Sequence, residues 1–248
     1  MIALFKSLSQ AIRGNPIRAG RVYMRPPQRR DCRKWLTIRR ESQEFLQPWE
    51  PTWPADSLTR KSYFRRLKAH ALQSNTDVGY TFLVFRQKDK ALIGGIAIND
   101  VRRGVAQSCS IGYWVGRKYA GEGYMTEALS GLLPVIFSRL KIHRIEAACL
   151  PRNDASQALL KKIGFHKEGF ARSYLKINGA WQDHILFGLL DSDTKIAPIP
   201  VIHQEKKKRA KRIKNNASRI NGRSIPPSDE GPAVQDKSDP LLTKPRLI

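Results

Sequence analysis

The segment GYWVGRKYAGEGYMTEALSGLLPVIFSRL, residues 112–140, constrains this chain more than any other stretch. It opens as a strand, turns through two glycines and continues as a helix whose Met125, Leu129, Leu132, Ile136 and Leu140 form one apolar stripe. Gly121 and Gly123 let backbone N–H groups approach an anion closely, and the new helix aims its unsatisfied amides and positive end at the same point. A pyrophosphate suits that place. A plain tight turn is the other reading, because Gly121-Glu122-Gly123 completes neither GxGxxG nor a Walker loop. Pro134 predicts a kink or local adjustment in the helix.

Around this centre the pattern runs βααβββαβαββ. RVYMRPP is a short strand stopped by Pro26 and Pro27; a helix follows over about 31–46, then the proline-bounded loop PWEPTWP. A second helix starts after Asp56 or Ser57 and carries Tyr63, Phe64, Leu67 and Ala71. GYTFLVFRQ, ALIGGIAIND and AQSCSIGYWV are strands joined by short polar turns, which implies an antiparallel meander. HRIEAACL is a further strand, PRNDASQALLKKIGF a loop, helix and glycine cap, and GFARSYLKI with WQDHILFGLL a hairpin around Asn178-Gly179. The fold class is mixed α/β.

The 248 residues carry a formal net charge of +24, more than solubility asks for, and this suggests polyanionic company such as nucleotide phosphates, RNA or an anionic membrane surface. Cys32, Cys109 and Cys149 form no CxxC pair and are odd in number, which fits neither a disulfide framework nor a zinc site. No metal and a reducing cytoplasm are therefore expected. MIALFKSLSQAIRG, with Ile2, Phe5, Leu8 and Ile12 near one face, reads as a surface helix or fraying end rather than a membrane anchor, and no stretch approaches a transmembrane span. These features divide the chain into an extension (1–19), a domain (20–192) and a basic tail (193–248) expected to be disordered. In the tail, seven of the nine residues from Lys206 to Lys214 are Lys or Arg, suited either to following ribosomal RNA phosphates or simply to solvation.

Here a family resemblance enters. GYWVGRKYAGEGYMTEAL resembles the coenzyme-A motif of the GNAT superfamily of N-acetyltransferases, Q/RxxGxG/A, with Lys118 in the Q/R place. NDASQALLKKIGFHKEGF is similar to that superfamily's NxxS or NxxA helix and following strand, and FLQPWEPTWP, HRIEAACLPRN and YLKINGAWQDH resemble RimJ-type proteins over about residues 20–190. The resemblance implies a three-layer fold in which a splayed, largely antiparallel sheet is flanked by helices. Pantetheine would lie in the V between AQSCSIGYWV and HRIEAACL. It further implies that acetyl-CoA is the acyl donor, bound by the backbone of Tyr113, Trp114 and Val115, by the amides of Lys118, Tyr119, Ala120, Gly121, Glu122, Gly123 and Tyr124, and near its sulfur by Asn153 and Ser156. The implied acceptor is the N-terminal α-amine of a ribosomal protein. A small amine is the alternative, and an RNA- or ribosome-binding factor on the same fold is a third reading.

Amide formation needs a neutral amine, donors for the oxyanion and stabilisation of the departing thiolate. Glu50, in a loop of prolines and tryptophans, is the first candidate for the base, although it could equally cap a turn or pair with an arginine; Asp183 and His184 are alternatives. Many GNAT enzymes carry an LY pair in the helix after NxxA, where this chain has Leu159-Leu160, so Ser156 or a bound water becomes the candidate substitute for the usual acid, although Ser156 could equally cap or pack its helix. Trp49, Trp53, Tyr174, Trp181 and Asp183 are candidates for the acceptor wall, or for ordinary packing.

Overall fold

In the computed structural model, residues 15–193 are described. The expected N-terminal helix and the basic run at 206–214 lie outside them. The strands are β1 (Ile17–Ala19), β2 (Val22–Arg25), β3 (Tyr80–Arg86), β4 (Leu92–Arg102), β5 (Ser108–Val115), β6 (Arg144–Cys149), β7 (His166–Ile177) and β8 (Ala180–Leu190). The helices are α1 (Cys32–Glu41), α2 (Gln43–Leu46), α3 (Arg60–Asn75), α4 (Tyr124–Ser138) and α5 (Asp154–Lys162). All eight strands form one sheet in the order β1-β2-β3-β4-β5-β6-β8-β7. Because β1 pairs with β2, the sheet starts at Ile17, three residues ahead of the boundary read from the sequence.

Only β5 and β6 run parallel, and they pair through just three positions, Ser108–Arg144, Cys109–Ile145 and Ser110–Glu146. Beyond Ser110 the two strands part, and the sheet opens into the V that the functional site occupies. β6 is held on its other side by antiparallel β8 from Arg144 to Cys149, while β5 is held by β4 as far as Val115. Each wall of the V therefore keeps one complete ladder. Successive side chains of a strand face opposite ways. Tyr113 meets α5 through Ser156, whereas Trp114 meets α1 through Arg39, so helices cover both faces of the sheet. Fully buried Phe82, Phe85, Ile93, Ile96, Leu129, Leu132, Ile136, Ile145 and Phe187 make up much of the core, with α4 packed on β1 and β2.

Two local departures from the sequence reading have physical causes. The helix expected over 31–46 breaks at Ser42, whose φ of −113° and ψ of 12° end α1. Its buried hydroxyl accepts the Arg117 amide at 3.0 Å, which ties this break to the entrance of the glycine loop. β7 begins at His166 and carries irregularities, one of them at Ser173, which sits at φ 45° with its amide donating to Asp183 Oδ1 at 2.7 Å. The Asn178-Gly179 turn is as expected, both residues having positive φ, and the Asn178 amide donates to the Glu50 carbonyl at 2.9 Å. The hairpin tip is thereby fastened to the PWEP loop.

Candidate active site

The parted strands enclose a cavity of about 430 Å³ that reaches from the glycine loop, between β5 and β6, to the PWEP loop and the β7–β8 hairpin. At one end lie Tyr119, Ala120, Gly121, Gly123, Met125 and Thr126. Gly121 and Gly123 both take φ 79°, and no side chain caps α4, so its first amides keep their donors directed outward. A Cβ built on Gly121 meets no protein atom within 4 Å. Lys162 contributes a cation to the cavity. An uncapped helix start, an open glycine cradle and a cation fit a pyrophosphate. Lys118, Glu122 and Tyr124 sit just outside, lining with Arg86 and Tyr119 an adjoining recess. Lys118 also pairs with Glu41 at 3.4 Å across the surface.

In the middle, Tyr113, Trp114 and Val115 face Ala147, Cys149, Asn153 and Ser156 across the gap. Asn153 caps α5, its Oδ1 accepting the Ser156 amide at 3.1 Å. The Tyr113 and Ser156 hydroxyls are 2.7 Å apart. Burial pushes the Tyr113 phenol well above its ordinary range and the Cys149 thiol up to about 11.

The chain as a whole is similar to known proteins. Residues 21–166 match the model of the acetyltransferase (GNAT) domain. The chain belongs to the GNAT acetyltransferase family. It is 36% identical over 172 residues to the probable N-acetyltransferase YjcK of Bacillus subtilis, covering 69% of this chain and 95% of that protein. It is 34% identical over 173 residues to the [ribosomal protein uS5]-alanine N-acetyltransferase of Escherichia coli, covering 70% and 89%. Among solved structures, Mycobacterium smegmatis RimJ in complex with CoA-disulfide superposes with a TM-score of 0.69 at 31% identity, covering 74% of this chain and 90% of that one. The chain is a RimJ-type GNAT N-acetyltransferase, and acetyl-CoA is its acyl donor.

At the other end of the cavity stand Phe45, Leu46, Trp49, Glu50, Leu175, Ile177 and His184. Glu50 is 2% exposed. Both its oxygens are taken by Arg39, Nη1 to Oε1 at 2.6 Å and Nη2 to Oε2, and Trp53 Nε1 donates to Oε2 at 2.7 Å. The Arg39 guanidinium lies 4.1 Å from the Trp53 ring centre and 4.9 Å from that of Trp114. Of the readings open for Glu50, base, cap of a turn or partner of an arginine, the ion pair is what the fold builds. Trp53 thus serves Glu50 and does not line the cavity. Tyr174 stands edge-on to His184 at 5.7 Å, Trp181 is 64% exposed on the hairpin, and Asp183 is engaged with the Ser173 amide.

His184, 3% exposed, donates from Nδ1 to the Gln182 carbonyl at 2.9 Å, since a carbonyl can only accept. Burial lowers its pKa, and its Nε2 makes no hydrogen bond among the described residues, so a neutral imidazole offers one free lone pair at the cavity. Sequence reasoning placed His184 behind Glu50 because an inward-facing polar pair in a strand, Asp183-His184, is often only a satisfied structural contact. Among the described residues no cluster of His, Cys, Asp and Glu could hold a metal, and no helix is long and apolar enough to cross a membrane.

Burial also lowers the pKa of His70, which contacts Thr81 Oγ1 at 3.0 Å. A histidine with a depressed folded pKa binds protons more readily when unfolded, so protonation favours unfolding. Stability is therefore expected to hold above about pH 6.5, the ordinary imidazole value, and to fall as pH drops below it. Urea midpoints at pH 7.5 and 5.5 check this, and a His70→Gln/His184→Gln variant should flatten the difference. Equal midpoints in the wild type would contradict it.

Proposed function

We propose that this enzyme transfers the acetyl group of acetyl-CoA to the N-terminal α-amine of a ribosomal protein, in the cytoplasm where such proteins are made. The observation that carries the reading is its likeness, over nearly all of the E. coli enzyme's length, to a protein named for that reaction on uS5 alanine. The site's chemistry supports it. A free α-amine has a pKa near ~8, so a neutral imidazole needs to take its proton against only a small gradient, whereas a lysine side chain asks for more. The acceptor end offers mainly apolar and aromatic wall, with no unpaired carboxylate among its lining residues to hold an ammonium ion.

His184 is the proton acceptor in this scheme, through Nε2. Glu50 holds Arg39 and fixes the loop that, with Trp49, walls the acceptor; Tyr174 backs His184, and Trp181 offers an aromatic shelf to residues that follow the acceptor amine. The Tyr113–Val115 backbone binds pantetheine, residues 118–124 bind pyrophosphate, and Asn153 orients Ser156 beside the sulfur. The amine attacks the thioester carbon, its proton passes to His184, the C–S bond breaks, and the electron pair leaves on sulfur. Intact-mass proteomics of cells with and without the gene tests the assignment: one ribosomal protein should lose a ~42 Da increment, the net acetyl addition expected of transfer to a nucleophile. Unchanged ribosomal masses alongside a missing acetylated metabolite would favour the small-amine alternative.

A further inference from the structure

We propose that the Tyr113 hydroxyl is a positioning group that sets the direction of the Ser156 hydroxyl, so that the Ser156 proton points at the thioester sulfur and stabilises the thiolate as it leaves. This rests on the donor-site reading above and assigns work to a side chain whose backbone alone entered the sequence reading.

The geometry carries the inference. Tyr113 lies on the β5 wall and Ser156 on the first turn of α5, and the 2.7 Å contact between their oxygens spans the gap where the strands have parted. Either oxygen could donate across that contact. A phenol is the stronger acid and the poorer acceptor of the two, so the better bond runs from Tyr113 O–H to Ser156 Oγ. Burial keeps the phenol protonated, which preserves that direction. Ser156 then has one proton left to aim. The Ser156 amide is fixed on Asn153, so the hydroxyl cannot drift with its backbone. The Cys149 thiol across the same cleft stays protonated, with burial pushing its pKa up to about 11, and is only a weak acceptor. A developing thiolate in the cleft is a far stronger acceptor, and hydrogen bonds to ions are roughly twice as strong as neutral ones. No proton need leave either hydroxyl: the electron pair of the C–S bond goes to sulfur, the amine's proton goes to the base, and the free thiolate takes a proton from water on release. The pair thereby fills the role left open by Leu159-Leu160.

The test varies the leaving group. Tyr113→Phe and Ser156→Ala are compared with wild type in single-turnover rates, first with acetyl-CoA and then with its selenoester analogue, whose departing selenolate is a much weaker base on an identical frame. With acetyl-CoA, Tyr113→Phe should lose about tenfold and Ser156→Ala about 100-fold, in the range for removing donors from developing charge. The double variant should be no slower than Ser156→Ala, and donor affinity should stay within about twofold. With the selenoester the Tyr113→Phe loss should shrink to about twofold, because less charge needs stabilising. A loss of equal size with both donors, or a loss in affinity alone, would mean that Tyr113 only shapes the pocket and would overturn the proposal. Acceptor-independent thioester hydrolysis gives the same ratio, so the result does not depend on which amine is the natural acceptor.

Discussion

Glu50→Gln is expected to destabilise the fold by about 3 kcal/mol or more, because it leaves the buried Arg39 guanidinium without its counter-charge. Their side chains are 8% and 3% exposed, and both carboxylate oxygens are committed to the pair. For a domain of this size that is a fall in melting temperature of roughly 10 °C. Activity should fall with it, since the loop bearing Glu50 is also tied to the hairpin tip through Asn178. Replacing both partners, Arg39→Met with Glu50→Met, should cost less than Glu50→Gln alone, because no buried charge is then stranded. Circular-dichroism melts check this. A Glu50→Gln protein that melts like wild type but loses turnover, and regains it at high pH, would instead make Glu50 the base and displace His184.

Gly121→Val should abolish measurable acetyl-CoA binding, a loss of about 100-fold or more, while the protein stays folded. The residue sits at φ 79°, a region that costs an L-residue about 1–2 kcal/mol, so a modest fall in melting temperature accompanies the change. Nothing in the protein lies within 4 Å of a Cβ there, so the added side chain fills ligand space and spares the core. Calorimetric titration with acetyl-CoA decides it. Wild-type affinity in a folded Gly121→Val protein would reduce the glycine loop to an ordinary turn.

The parts of this protein that were legible in its sequence are those encoded locally. The glycine turn before α4, the Asn178-Gly179 hairpin and the alternating strands each follow from neighbouring residues, and the GNAT resemblance assembled them in order. What was not legible depends on residues that meet only after folding. Tyr113 and Ser156 are 43 positions apart, and their contact exists because β5 and β6 separate after Ser110. Ser42 breaks a helix that periodicity continues, since its hydroxyl is needed by the Arg117 amide 75 residues away. Glu50 was singled out for its rigid, apolar loop, which is also the setting in which a carboxylate needs an arginine. Nothing in residues 39–50 alone distinguishes the two roles.

The most direct test of the whole account is CoA release, measured with the full chain, from acetyl-CoA and a peptide carrying the alanine N-terminus of uS5. The same peptide with its α-amine blocked, and a panel of small amines, serve as the comparison. The account predicts turnover of the free peptide with acetylation at its α-amine, and loss of that turnover when the α-amine is blocked. Equal turnover of the blocked peptide, or turnover of small amines with none of the free peptide, would contradict it.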